Sequence, residues 1–243
     1  MISDEKYIQW TGGAGFYITY DGIRIGLDLY LSNSCMDPEG NFKRLTPPPT
    51  EPSNIVLDYL IASHAHGDHL DTGCLSEWFD KNKELKLIGP ASSLLAATDM
   101  VPPDRKILLD RGGCVDLAPH VKIRGVYCDH GNQSLDAIGV VLELGNSTIY
   151  FTGDTCYRPD LRELTGTFDV DILIVPINPA FGNPGSEGAA KITRMYMPKT
   201  VIPCHYWLFM EHGGDPASFA DECAKTAPET NCAILAIGEK IKF

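Results

Sequence analysis

The sequence predicts an α/β fold, and three observations carry that reading. Apolar runs of strand length recur along the chain, segments of helical spacing fall between them, and histidines and acids stand directly after several of the runs. Tyr7–Trp10 is the first such run and leads into Gly12-Gly13-Ala14-Gly15. Phe16–Tyr20 and Ile23–Leu27 read as a hairpin, because the Asp21-Gly22 pair between them supplies the positive φ values of a tight turn. Residues 33–54 are rich in Pro, Gly, Ser and Asn, with Pro47-Pro48-Pro49. They predict a long surface loop of the kind that borders active sites. Leu57–Ala62 predicts a buried strand ending at a cluster of histidines. Helical spacing over Leu70–Lys81, a strand at Lys86–Gly89 and a helix at Ala91–Thr98 come next. Val121–Val126, Ala137–Leu144 and Thr148–Phe151 read as strands, the last two joined by a Gly145-Asn146 turn. Asp171–Pro176 and Thr200–Pro203 are further strands, with helices over Ser186–Met197 and Pro216–Thr226 and a final strand over Ala233–Ile237. No internal repeat, charge block or low-complexity linker divides the chain, so one domain over residues 1–243 is expected.

The bulk composition narrows the function. A chain of 243 residues can bury a proper core, and 21% charged with 44% apolar residues is the balance of a globular protein. A net charge of -12 and the lack of a basic stripe argue against binding nucleic acid, which requires cations to displace counterions. An anionic small molecule is still admissible, because bound metal ions reverse the local field. The longest apolar runs, such as Asp171-Ile-Leu-Ile-Val-Pro176, are far short of a bilayer span, so no membrane partner is expected. Met1-Ile-Ser-Asp-Glu-Lys6 is polar and acidic and unlike a secretory signal, which predicts a cytoplasmic location. Eight cysteines are scattered without a C-x-x-C pair, several of them inside apolar runs. They read as reduced, structural residues.

The chemistry concentrates in Ser63-His64-Ala65-His66-Gly67-Asp68-His69. Two histidines at spacing two on an extended segment point the same way and can reach one cation. Asp68 and His69 follow on the turn into a helix and can reach a second ion. Further donors stand just past other apolar runs: His130 after the strand ending near Tyr127, Asp154 after Tyr150-Phe-Thr-Gly, and His205 after Thr200-Val-Ile-Pro-Cys204. In layered α/β folds, ligands gather outside the carboxyl ends of strands. The carboxylate of Asp154 has two oxygens and can bridge two cations. His120, next to Pro119 in a turn, reads as solvated, whereas His212 lies in an aromatic stretch and can line the site.

The H-x-H-x-D-H cluster, Gly153-Asp154-Thr155 and the His205 segment resemble the metallo-β-lactamase superfamily. Within it the chain is similar to the L-ascorbate-6-phosphate lactonase-like hydrolases. The similar stretches include Trp10-Thr-Gly-Gly-Ala-Gly15, the run from Ile23 to Leu29 with its Asp28, Ile88-Gly-Pro90, Val101-Pro-Pro-Asp-Arg105, residues 178–184 and Lys199-Thr-Val-Ile-Pro-Cys-His205. The chain departs from the lactonase in being shorter at both ends and in matching it poorly around Cys128-Asp129-His130. The resemblance implies a four-layer αββα sandwich with metals at one sheet edge. It implies that His64, His66 and His130 hold a first ion, that Asp68, His69 and His205 hold a second, and that Asp154 bridges them. One or two divalent ions, zinc or manganese, are the cofactor expected, and a homo-oligomer is compatible with the family.

On that reading two ions share a hydroxide that attacks an ester-type carbonyl, since metal binding brings the pKa of water to roughly 7. The substrate expected is a lactone or related ester of a small, sugar-like molecule, with or without a phosphate. Asp68 and Asp154 are the catalytic carboxylates. Tyr206, with Tyr157, is a candidate donor to the oxyanion or leaving group. For a phosphate, the Gly182-Asn-Pro-Gly-Ser186 loop offers backbone N–H groups at the start of a helix, and Arg158, Lys191 and Arg194 offer charge. Asn178, Tyr157, Arg158 and His212 are the substrate-contact candidates. Competing readings are a zinc phosphodiesterase on the same scaffold, an iron-dependent oxygen or sulfur enzyme, and a metal-binding protein without turnover. His66 stands where diiron reductases of this scaffold carry Glu, which counts against the iron reading.

Overall fold

The computed structural model describes residues 5–243, so the first four residues of the polar N-terminal segment lie outside the described residues. The chain divides into two compact units. The first runs from the N-terminal strand to Leu108 and takes in Leu208–Met210 and Leu235–Phe243, and the second comprises Leu109–Trp207 and Glu211–Ile234.

The first unit is built on a seven-stranded sheet. Its strands are β1 (Tyr7–Gly12), β2 (Gly15–Tyr20), β3 (Ile23–Leu27), β4 (Tyr59–Ile61), β5 (Lys86–Gly89), β6 (Lys106–Leu108) and β14 (Lys240–Lys242), in the order β14-β1-β2-β3-β4-β5-β6. The pairs from β14 to β3 are antiparallel and those from β3 to β6 parallel. The β2–β3 hairpin closes on Asp21 and Gly22 at φ 46° and 81°, as the Asp-Gly pair requires. Helix α1 (Thr72–Lys81) buries Cys74, Leu75, Trp78 and Phe79, a stripe at helical spacing, among Leu29, Leu57, Leu60 and Leu87 of the sheet side. Helix α2 (Ala91–Ala96) lies against β5 and β6. Buried Asp71 caps α1, accepting from Gly73 N at 3.2 Å, and also takes the N–H groups of Leu31 and Ser32, both at 2.8 Å. One carboxylate thus ties the segment after β3 to the helix that follows the histidine cluster.

The second unit repeats the pattern. Its strands are β7 (Cys114–Ala118), β8 (Val121–Tyr127), β9 (Ile138–Leu144), β10 (Ser147–Phe151), β11 (Ile172–Pro176), β12 (Thr200–Cys204) and β13 (Asn231–Cys232), ordered β13-β12-β11-β10-β9-β8-β7. Pairs from β7 to β10 are antiparallel and those from β10 to β13 parallel. Helices α3 (Leu161–Thr165), α4 (Gly185–Tyr196) and α5 (Pro216–Thr226) complete it, with α4 against β11 and α5. Ala189, Ala190, Ile192, Thr193 and Tyr196 form the buried stripe of α4.

The final strand expected over Ala233–Ile237 is not there. Ala233 still donates to Val201 O at 2.9 Å, but Ala236 N is taken by the Glu239 carboxylate at 2.7 Å and Gly238 turns the chain at φ 85°. The apolar run is coil, and the strand that ends the chain is the half-exposed β14. The edge strands β6 and β7 also escape the pattern of buried apolar runs, since neither carries a fully buried residue. None of the eight cysteines is in a disulfide. Among the described residues no helix is long and apolar enough to cross a membrane.

One glycine is dictated by a close approach. A Cβ on Gly125 of β8 would lie 2.3 Å from Asp110 O, a backbone atom that cannot swing aside, while Gly112 N donates to Gly125 O at 2.7 Å and Gly125 N to Gly113 O at 3.0 Å. Gly125→Ala is therefore expected to cost about 2–3 kcal/mol. Thermal unfolding should show a Tm lower by about 5–10 °C.

Candidate metal centre

In the first unit the donors follow the ends of two parallel neighbours, β3 and β4, and the order in which they lock together follows from burial. Asp28, one residue past β3, is fully buried at φ 46°, a conformation Asp tolerates better than most side chains. Its carboxylate accepts from Ser63 N at 2.7 Å and Ser63 Oγ at 2.5 Å, and meets His69 Nδ1 at 2.6 Å. Burial pushes the Asp28 carboxyl above its ordinary value, and His69 and the Ser63 bonds pull against that shift. With Nδ1 engaged by a carboxylate, His69 presents Nε2 outward, the arrangement by which an outer carboxylate orients a metal-bound imidazole. Ser63 Oγ lies 3.0 Å from His64 Nδ1, so His64 likewise presents Nε2, which faces His66 Nδ1 at 2.9 Å. Asp28, His64 and His69 place ligand atoms within 4.8 Å of one another. Asp68 stands beside them, its carboxylate 3.6 Å from His69 Nε2 and its side chain 15% exposed. Burial first, then the Asp68 carboxylate, push the Cys35 thiol up to about 11.

In the second unit the donors follow β8, β10 and β12, whose carboxyl ends share one edge because β9 runs antiparallel between β8 and β10. Two clamps bring the ends of β8 and β10 together: Cys128 Sγ donates to Asp154 O at 2.9 Å, and Cys156 N to Asp129 O at 2.8 Å. Asp154 Oδ2 lies 3.2 Å from His205 Nε2 and 3.9 Å from His130 Nε2, all three side chains being almost fully buried. His212 packs on His205 with ring centroids 4.4 Å apart. Gly213 and Gly214, at φ 65° and 92°, let the chain turn back there, and a Cβ on Gly214 would meet Tyr206 Cβ at 2.6 Å.

Within each unit the structure therefore assembles the donors that the sequence pointed to: His64, His66, Asp68 and His69 in one, His130, Asp154 and His205 in the other. His212, expected at substrate, is a neighbour of His205 and offers a ligand atom. Tyr206, expected as a donor to the oxyanion or leaving group, is buried, and burial, then Cys204 and Cys232, raise its phenol well above the ordinary value. Asn178 is fully buried and donates to Ala180 O at 3.2 Å. The cations suggested for a phosphate are largely engaged. Arg158 pairs with Asp129 at 2.9 Å and Asp160 at 2.8 Å, and Lys191 pairs with Glu187 at 2.7 Å and lies over the Tyr157 ring. Arg194 is exposed beside Met197. His120 is exposed, as expected.

Three residues escaped the sequence reading. Asp28 stands out in the sequence only as the acid within the run from Ile23 to Leu29, and Ser63 only as the start of the cluster. Asn183, in the turn before α4, donates from Nδ2 to Asp154 Oδ2 at 2.8 Å and so fixes that carboxylate. Its only signal was a place between Gly182 and Pro184, which also suits an ordinary turn.

A UPF0173 metal-dependent hydrolase of Hyperthermus butylicus is 25% identical over 239 residues, covering 98% of this chain and 99% of its own. Among solved structures, a metallo hydrolase from Ignicoccus hospitalis is similar with a TM-score of 0.79 at 20% identity, 98% of each chain being covered. An isothiocyanate hydrolase from Delia radicum gut bacteria gives 0.78 at 18% identity with the same coverage. These likenesses show the metallo-β-lactamase fold. Residues 7–205 match the family model of the beta-lactamase superfamily domain, and the chain belongs to that superfamily.

Proposed function

We propose that this protein is a metal-dependent hydrolase that opens a lactone or related ester of a small molecule. The observation that carries the reading is the Asp28 carboxylate on His69 Nδ1 at 2.6 Å, a buried group whose bonds to His69 and Ser63 leave the outer imidazole nitrogens for a cation. The donor chemistry fits: neutral imidazoles and carboxylates suit zinc or manganese. His64 Nε2 and His66 Nδ1, 2.9 Å apart, are also close to the separation of roughly 3.3 Å that two nitrogens adopt on one zinc.

In the first unit His64, His66, Asp68 and His69 would hold metal, and in the second His130, Asp154 and His205 would do so. Such ions supply Lewis acidity and bring the pKa of water to about 7. The protein's own groups do the rest. Asp28 and Ser63 keep His69 and His64 in one tautomer, and Asn183 holds Asp154 in one orientation. Asp68, the most exposed of the carboxylates here, would take up the proton released by the attacking water and hand it to the leaving alkoxide. The relatives' naming as metal-dependent hydrolases supports this class of reaction.

The test is metal content by mass spectrometry with hydrolysis of a lactone panel and of bis(p-nitrophenyl) phosphate. About two ions per chain are expected, with lactone opening that is lost on chelation and restored by zinc or manganese. Cleavage of the diester without lactone opening would move the protein to the phosphodiesterases. A chain that purifies without metal and cannot be reconstituted would overturn the reading.

A further inference from the structure

Phe181 lies in the segment between β11 and α4 with φ 57°, a left-handed conformation that a bulky side chain avoids. Its side chain is nonetheless 43% exposed. The segment is fixed, not loose: Gln133 Nε2 donates to Phe181 O at 2.7 Å and Asn178 Nδ2 to Ala180 O at 3.2 Å. Two residues on, Asn183 reaches Asp154 at 2.8 Å. The loop that orients a proposed metal ligand therefore also holds an aromatic ring outward. That ring meets His212 edge-on, with centroids 6.1 Å apart, and His212 in turn packs on His205 at 4.4 Å.

An exposed phenyl group on strained backbone is a poor contribution to folding. Half its burial is forgone, and glycine at this position would relax the backbone. Strain of this kind persists at ligand sites, where the surrounding structure over-determines it. Two cations of this unit, Arg158 and Lys191, are paired with carboxylates.

We infer that Phe181 is a specificity residue whose ring receives an apolar substituent, aromatic or alkyl, carried beside the carbonyl that is hydrolysed. The inference rests on the hydrolase reading and sets the substrate class within it: hydrophobic lactones or esters, not phosphorylated sugars. Gly182 at φ 84° follows Phe181 directly and Gly185 at φ 62° opens α4, so a larger side chain at either position would be strained.

The experiment compares γ-butyrolactone with its γ-hexyl and γ-phenyl derivatives on the metal-loaded protein. The kcat/KM ratio of substituted to parent lactone is expected to be about tenfold or more, the scale of one aromatic contact with its burial. Phe181→Ala should bring the ratio close to one, and Phe181→Leu should restore most of the γ-hexyl preference. Leu164→Ala, which removes another exposed apolar side chain, should leave the ratio as it was. A second readout does not need turnover: calorimetric binding of 4-phenylbutyrate against butyrate, in wild type and Phe181→Ala. If no lactone is opened yet phenylbutyrate binds more tightly than butyrate only when Phe181 is present, the hydrolase reading fails and the apolar subsite stands. Equal ratios in wild type and Phe181→Ala would overturn the inference, as would equal or absent binding of the two acids.

Discussion

Asp154→Ala is expected to reduce hydrolysis on the order of 1000-fold, beyond the 10–100-fold typical of losing an outer-shell partner. Asp154 is 3% exposed, and its Oδ2 is the point on which Asn183, His205 and, more distantly, His130 converge. The proposed second role of this carboxylate is electrostatic. It lowers the charge of a site crowded with imidazoles and cations, a task no neutral side chain performs at that position. Asp154→Asn separates shape from charge, since the amide oxygen still accepts from Asn183 while the negative charge is gone. It should retain less than one-tenth of the activity. The same variants answer by a second route: wild-type protein should gain thermal stability as zinc or manganese is added, because a ligand of the folded state alone stabilises it. That gain should shrink in both variants. A full metal-induced shift in Asp154→Ala would remove this residue from the ligand set.

Trp78→Ala is expected to destabilise the protein by about 3–5 kcal/mol, the range for deleting a large buried aromatic. Trp78 is fully buried on α1 among Leu29, Leu57, Leu60, Leu75 and Leu87. Its indole N–H donates to Pro52 O at 3.1 Å, so the cavity would also strand a carbonyl of the long loop. The loss should appear in urea as a lower midpoint, and Trp78→Phe should recover part of it by refilling the volume. Because α1 begins just after the histidine cluster, Trp78→Ala should also weaken metal binding more than Gly125→Ala does, although both are remote from the ions. Equal metal affinity in the two variants would show that α1 does not position the cluster.

The parts of the site that were legible in the sequence are those whose geometry is local. His64 and His66 share a face because an extended segment alternates, and that holds wherever the strand sits. Asp154 and His205 were legible by a weaker rule, that donors stand past strand ends, and the parallel pairing of β10, β11 and β12 is what makes the rule work. Asp28 and Asn183 were not legible because their meaning lies in partners 41 and 29 residues away. A lone Asp after a strand and an Asn in a turn have many local uses. The same limit explains the end of the chain. Residues 233–237 have a strand's apolar content, yet what decides a strand is a row of free backbone partners, and here Glu239 and Gly238 take the chain elsewhere. Lys240–Lys242 has no apolar signature and pairs with β1 all the same.

That last pairing bears on how the sheet meets other chains. Tyr7 stands opposite Lys242 and Gln9 opposite Lys240, so the edge that β1 would present is covered by a segment far away in sequence. Without β14, β1 presents an unpaired edge, the kind of surface that templates association between chains. The covering strand is short, and Lys240 and Lys242 place exposed charges along it, the device by which sheets discourage a further strand from docking. Fraying of these three residues would reopen the edge while the rest of the sheet keeps its pairing.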